Sequence, residues 1–354
     1  MQTKVLVIDD SITIRTLLTS ILDKHPNIKV VGTAVDPYDA REKIKQLNPD
    51  VLTLDIEMPK MNGLEFLSNL MRLRPTPVVM VSTLTQHGAD ITLQALELGA
   101  IDYVAKPQNI DALSTDLYGN MLTEKVLTAA KANLNATSPT RSRPATLVAP
   151  KTRVNKRIIA IGASTGGTEA IKELLVGLPS DIPPIVIAQH IRPLFSTSFA
   201  NRLDGCTNFT VQEVDEVPRP LLGSHVYLAP GGQHIKVLEK RGQLFGVASS
   251  DAEVNRHRPS VEVLFDSVNQ WVGNESVAVM LTGMGRDGAE GMKRLKDRGG
   301  LTLSQNQESC VIWGMPRAAV ELGAVCSEHA LKDLPKAILN GLVMRKLKPS
   351  KEAV

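Results

Sequence analysis

Cysteine is scarce in this chain of 354 residues. Cys206, Cys310 and Cys326 stand far apart and form no C-x-x-C pair. That excludes a disulfide framework and a cysteine zinc site, and it fits a reducing compartment. Long apolar runs are missing too: none approaches the roughly 18 residues that a membrane helix needs. The N-terminal K-V-L-V-I-D-D reads at once as a strand, with no signal-peptide pattern. A cytoplasmic protein without membrane insertion is therefore the expectation. Charge of one sign is not in excess either, and a net charge of +3 is too small to argue for nucleic acid. No Walker sequence G-x-x-x-x-G-K-[ST] occurs, and no internal sequence repeat. What remains is 43% apolar and 22% charged residues over a length that suits two globular domains with substantial cores.

The first 130 or so residues alternate strand and helix. Val5–Ile8, Val30–Ala34, Val51–Leu54, Val78–Val81 and Tyr103–Val104 are short apolar or β-branched runs. Helical patterns lie between them, such as Ile14, Leu17, Leu18, Ile21 and Leu22. Five βα units imply a parallel, doubly wound sheet whose ligand site lies at the carboxyl ends of the strands. Asp9 and Asp10 close the first strand and Asp55 the third; Ser82 and Thr83 follow the fourth, and Lys106 follows the fifth. Each acid alone could cap a helix or start a loop. Three in one pocket repel one another unless a cation is present, and a hard ion such as Mg²⁺ held by oxygens resolves that.

From about Lys131 the pattern breaks. Residues 132–153 hold three prolines, many small polar residues and the scattered cations Arg141, Arg143, Lys151 and Arg153. This reads as a flexible linker carrying solvated charge.

A second α/β unit follows. It opens on R-I-I-A-I-G-A-S-T-G-G, Arg157 to Gly167. Ile158–Ile161 reads as a buried strand; Ile171, Leu174, Leu175 and Leu178 mark one face of the next helix. Ser164 therefore sits at a strand-to-helix turn, where G-A-S-T-G fits the G-x-S-x-G nucleophile pattern. On that stretch alone, a glycine-rich turn or phosphate cradle is the better reading. A nucleophilic serine also needs a base, an orienting acid and oxyanion donors. His190 directly follows the strand Pro184–Gln189, at the edge where Ser164 lies, with His225, His234 and His257 as runners-up. Asp287 follows the strand Ser276–Thr282 in T-G-M-G-R-D-G. Three strand ends carrying serine, histidine and aspartate favour a triad. The order Ser, His, Asp differs from the Ser, Asp, His of the α/β-hydrolases. Gly283-x-Gly285-x-x-Gly288 formally matches a dinucleotide fingerprint, but the next strand ends in Ser304-Gln305-Asn306 without the ribose-binding acid. Phe209–Ala248 holds short strands with turn signals and reads as a hairpin or antiparallel edge.

The first unit resembles the response-regulator receiver family, through V-I-D-D, T-L-D-I-E-M-P-K-M-N-G-L-E-F-L, V-M-V-S-T-L-T and D-Y-V-A-K-P. The resemblance implies a flavodoxin-like (βα)5 domain over residues 1–122 in which Asp55 takes a phosphoryl group from a histidine kinase. Asp10, Asp55 and the Glu57 carbonyl would hold Mg²⁺, with Asp9 supporting. Ser82 and Tyr103 match the switch residues, and Lys106 the phosphate-pairing lysine. Residues 123–153 would be a helix end and linker. The second unit, residues 154–347 before a short tail at 348–354, resembles the catalytic domain of the chemotaxis protein-glutamate methylesterase (CheB) family. The matching stretches include I-G-A-S-T-G-G, Q-H-I-R-P-L-F-S-T-S-F-A-N-R-L, N-R-H-R-P-S-V-E-V-L-F and L-T-G-M-G-R-D-G-A. This implies Ser164 as nucleophile, His190 as base, Asp287 as orienting acid and the Met284 N–H as an oxyanion donor. It also implies hydrolysis of glutamate methyl esters and deamidation of glutamines on methyl-accepting chemotaxis receptors, with no cofactor for that step. The resemblance further implies that the unphosphorylated receiver restricts access to the esterase. A receiver-linked transcription factor would need a basic helix-turn-helix after the linker, and the dispersed cations of a large α/β unit argue against DNA as a partner.

Overall fold

The computed structural model describes residues 2–82, 85–107, 112–137 and 157–344. Thr83, the four linker cations and the C-terminal tail lie outside the described residues. The chain divides into two compact units, 1–138 and 139–354. No helix among the described residues is long and apolar enough to cross a membrane.

In the first unit strands and helices alternate as β1 (Thr3–Ile8), α1 (Ile12–Asp23), β2 (Ile28–Ala34), α2 (Pro37–Leu47), β3 (Val51–Asp55), α3 (Gly63–Leu73), β4 (Val78–Ser82), α4 (Gln86–Glu97), β5 (Asp102–Ala105) and α5 (Ala112–Ala129). The sheet order is β2-β1-β3-β4-β5, with every pair parallel. Leu6, Leu52, Val79 and Met80 are fully buried, as strands covered on both faces require. The order reverses between β1 and β3, so Asp9, Asp10 and Asp55 all meet at the switch point. α5 continues past residue 122 to Ala129.

The second unit runs β6 (Ile158–Ala163), α6 (Gly167–Val176), β7 (Ile185–Gln189), α7 (Phe195–Cys206), β8 (Thr210–Glu213), β9 (Arg219–Pro220), β10 (His225–Leu228), β11 (His234–Lys240), β12 (Gln243–Ser249), α8 (Val261–Trp271), β13 (Ser276–Met280), α9 (Ala289–Asp297), β14 (Leu301–Gln305), α10 (Met315–Glu321), β15 (Ser327–His329) and α11 (Leu334–Met344). Seven strands form a parallel sheet in the order β15-β14-β13-β6-β7-β10-β8. The segment expected to make a hairpin or antiparallel edge divides its strands. β11 and β12 pair as an antiparallel hairpin and add β9 in a separate sheet, while β8 and β10 extend the large sheet in parallel. Turn signals marked the hairpin; nothing local distinguishes a short parallel edge strand, because its crossover connection carries no tight-turn signature. Pro184 stays outside β7 as a ring without an N–H, although its carbonyl accepts from Ile159 N at 3.0 Å.

The chain leaves β6 towards β7 on one side and returns through β13 on the other. Ser164, His190 and Met284–Asp287 thus leave adjacent strands at one carboxyl edge, around the switch point. A Cβ at Gly162 would lie 2.2 Å from Val261 Cγ1, so the lack of a side chain there lets the start of α8 close onto β6.

Candidate active site and phosphoacceptor site

The turn after β6 is built for close approach. Gly166 caps α6 with φ +75°, and a Cβ there would strike Val311 at 2.8 Å. The backbone groups of Ser164 are fully used: its N–H donates to the Thr282 carbonyl (3.0 Å), and its carbonyl accepts from Gly167 N (2.7 Å) and Gln189 Nε2 (2.9 Å). Only the hydroxyl is left to face outward. The Ser164 N–H is therefore committed to Thr282, and the Gly283–Gly285 loop packs against the serine. A Cβ on Gly283 would lie 2.7 Å from Ser164 Cβ, and Gly314 N and Met315 N pin the loop from behind by donating to Gly283 O at 3.1 and 2.8 Å. Met284 is half-buried at the tip of this loop.

His190 Nδ1 lies 3.1 Å from Ser164 Oγ, and His190 Nε2 lies 2.9 Å from Asp287 Oδ2. The three residues expected from separate strand ends thus form one continuous chain of hydrogen bonds. With Asp287 ionised, Nε2–H donates to it, and the Nδ1 lone pair is left for the serine proton. The two ring nitrogens exchange the places they hold in the serine protease template, where Nε2 faces serine. Either nitrogen can act as base provided the other carries the proton.

Asp287 is buried, and burial alone would raise its pKa. The His190 hydrogen bond and charge, with Asn255 and Ser260, outweigh that and hold it at about 2. Its Oδ1 accepts from Asn255 Nδ2 (2.8 Å), Ser260 Oγ (2.8 Å) and Glu262 N (3.4 Å); its Oδ2 also accepts from Val261 N (2.6 Å). The carboxylate therefore caps α8 from another strand's loop, with its charge at the positive end of the helix.

Of the runner-up histidines, His225 Nδ1 turns to Gly223 O at 2.9 Å and its ring stacks on Tyr227. His234 is fully buried, between Ala252 O and Ser260 N. His257 stacks on His190. Sequence reasoning missed Asn255 and Ser260 as partners of Asp287, although N-R-H-R-P-S stood out as a motif. It also read Gln305 only as a missing ribose-binding acid. Gln305 Oε1 accepts from Thr282 N at 2.8 Å, and Thr282 Oγ1 bridges Thr165 O and Ile312 at 2.9–3.2 Å. A buried network behind Ser164 occupies that position.

In the first unit Asp9, Asp10 and Asp55 place ligand oxygens within 4.8 Å of one another. Lys106 Nζ lies 3.0 Å from Asp9 and 2.8 Å from Asp55. Burial and the Asp9 charge push Asp55 up to about 6 against the opposing pull of Lys106. A single lysine against three acids leaves the cluster short of positive charge, and its all-oxygen donors fit a hard divalent cation. Beside it opens a cleft of about 430 Å³ lined by Asp10, Glu57, Met58, Asn62 and His87. Ser82 is buried at the end of β4, and its carbonyl accepts from Lys106 N at 2.7 Å. Tyr103 is buried on β5 with Lys125 Nζ 5.2 Å above its ring.

Fold and sites together define a receiver unit joined to an α/β serine hydrolase unit. The family model for the response regulator receiver domain matches residues 5–118, and that for CheB methylesterase matches residues 159–338. The chain belongs to the CheB methylesterase family. It is 51% identical over 333 residues to a protein-glutamate methylesterase/protein-glutamine glutaminase of Vibrio vulnificus, covering 94% of this chain and 96% of that one. It is 49% identical over 337 residues to the enzyme of that name from Escherichia coli K12, covering 95% and 96%. The crystal structure of the Thermotoga maritima CheB methylesterase catalytic domain aligns with a TM-score of 0.51 at 33% identity, over 53% of this chain and 99% of that one.

Proposed function

We propose that this chain is a phosphorylation-regulated chemotaxis esterase. It hydrolyses γ-glutamyl methyl esters on methyl-accepting receptors and deamidates receptor glutamines. The observation that carries this reading is the hydrogen-bond chain Ser164–His190–Asp287, in a protein about half identical to methylesterase/glutaminases along almost its whole length. Both reactions are acyl transfers from a side-chain γ-carbonyl to water. His190 Nδ1 takes the Ser164 proton as Oγ attacks the carbonyl carbon. The Met284 N–H, with neighbouring backbone, faces the oxyanion. As the tetrahedral adduct collapses, His190 returns the proton to the departing methoxide or amide, which leaves as methanol or ammonia. Water then attacks the acyl-serine with His190 again as base, freeing glutamate and Ser164. Asp287 holds the imidazole tautomer and stabilises imidazolium.

Regulation enters at Asp55, which accepts a phosphoryl group from a histidine kinase of the chemotaxis system. Asp10, Asp55 and the Glu57 carbonyl would hold Mg²⁺, with Asp9 supporting, and the bound ion would supply charge neutralisation for the incoming phosphoryl group. Lys106 then pairs with the phosphoryl oxygens, and Ser82 and Tyr103 respond to them. The domain limits 1–122 and 154–347 belong to the same reading. The test is methanol release from methylated receptor, with and without a small-molecule phosphodonor. Wild type is stimulated, Asp55→Asn keeps the unstimulated rate, and Ser164→Ala is inactive. Normal turnover by Ser164→Ala would sink the triad, and stimulation of Asp55→Asn would sink the regulatory site.

A further inference from the structure

The segment from Ala252 to Ser260 contains no helix and no regular strand, yet it is held at both ends by one imidazole. His234 donates from Nε2 to the Ala252 carbonyl at 3.0 Å and accepts at Nδ1 from Ser260 N at 3.2 Å. Between these anchors Val254 and His257 exchange two backbone hydrogen bonds, at 3.0 and 3.2 Å. Asn255 and Arg256 make the tight turn with φ of 55° and 65°. Positive φ at both central residues is what a two-residue hairpin turn between Val254 and His257 requires. The turn delivers Asn255 to Asp287. It also lays the His257 ring flat on His190, with centroids 3.7 Å apart and planes inclined by 13°.

We propose that His257 is a positioning residue of the esterase, its ring acting as a flat stop and a π-face for His190. The proposal rests on the triad reading above. Asp287 fixes one nitrogen of His190 but leaves the ring free to swing about that hydrogen bond. An aromatic face in van der Waals contact blocks the swing and keeps Nδ1 on Ser164 Oγ. The contact also strengthens during reaction. When the serine proton reaches His190, its charged ring lies over the aromatic face of His257 and is attracted by the π electrons there. An interaction that grows only as the transition state is reached raises kcat and leaves KM unchanged.

The experiment is steady-state methanol release by the full chain on methylated receptor at pH 8, with wild type, Ser164→Ala, His257→Ala and His257→Phe. Thermal unfolding checks that each variant is folded, and His257→Asn replaces His257→Ala if the alanine variant is not. The expected result is loss of activity in Ser164→Ala. His257→Ala should show about tenfold lower kcat with KM within about twofold, and His257→Phe, which keeps a flat face, should recover to within about threefold of wild type. If His257→Ala turns over at the wild-type rate while Ser164→Ala is inactive, the role of His257 is overturned and the triad stands. A folded His257→Phe as slow as His257→Ala overturns the stacking account. An active Ser164→Ala overturns both.

Discussion

Replacing Asp287 by Asn changes one atom type in the most heavily bonded side chain of the site. The carboxylate accepts from His190, Val261, Asn255, Ser260 and Glu262, all of them donors. An amide supplies one oxygen and one NH₂ group. With the oxygen kept towards Asn255 and Ser260, the NH₂ group meets Val261 N–H donor to donor and donates to His190 Nε2. That forces the His190 proton onto Nδ1, facing Ser164 Oγ, where it can no longer accept. The wrong tautomer costs about ten-thousandfold in kcat. Stability falls as well. The drop of the Asp287 pKa from 3.8 to about 2 corresponds to about 2 kcal/mol favouring the folded state. Because the folded pKa is depressed, that contribution is complete above pH 4 and fades as pH falls towards 2. The assays are methanol release and urea unfolding at pH 7 and at pH 3. The expected outcome is a large kcat loss together with a stability difference that narrows at the lower pH. A variant retaining more than a tenth of wild-type kcat, or equally stable at pH 7, would refute the reasoning.

Two further outcomes follow from the same geometry. Asp55 holds its proton up to about pH 6 in the free protein, so Mg²⁺ must displace that proton below this value. Calorimetric titration should find Mg²⁺ affinity flat above about pH 7 and falling about tenfold per unit well below pH 6; a pH-independent affinity would contradict the burial argument. Gly283→Ala places a methyl 2.7 Å from Ser164 Cβ and 2.6 Å from Met315 Sδ. Displacing the nucleophile by about 1 Å costs on the order of a hundredfold in turnover, with about 1–3 kcal/mol of overpacking read by urea unfolding.

The alternation of strand and helix was legible because fully buried parallel strands must be apolar throughout, as Ile158–Ile161 and Val78–Val81 are. Their carboxyl ends were legible for the same reason, since Asp9, Asp55, Ser164, His190 and Asp287 each interrupt or follow an apolar run. The parallel pairing of β8 and β10 was not, because a parallel pair is joined by a crossover and leaves no tight-turn signal between its strands. Nor were Asn255 and Ser260, which precede a helix and look like ordinary turn and cap residues. Their target is a carboxylate 27 or more residues away.

The sequence by itself determined that Ser164, His190 and Asp287 leave strands at one edge, because hydrophobic periodicity is a local property. It also determined the pairing of a phosphoacceptor unit with a hydrolase unit. Tertiary structure alone decided how the site is held. It turned Nδ1 of His190, not Nε2, towards Ser164 and committed the Ser164 N–H to Thr282. It lent Asp287 to the N-terminus of α8 and laid His257 on the catalytic ring. These contacts join segments widely separated in the chain, and only the packed sheet brings the donors and acceptors of those segments within reach.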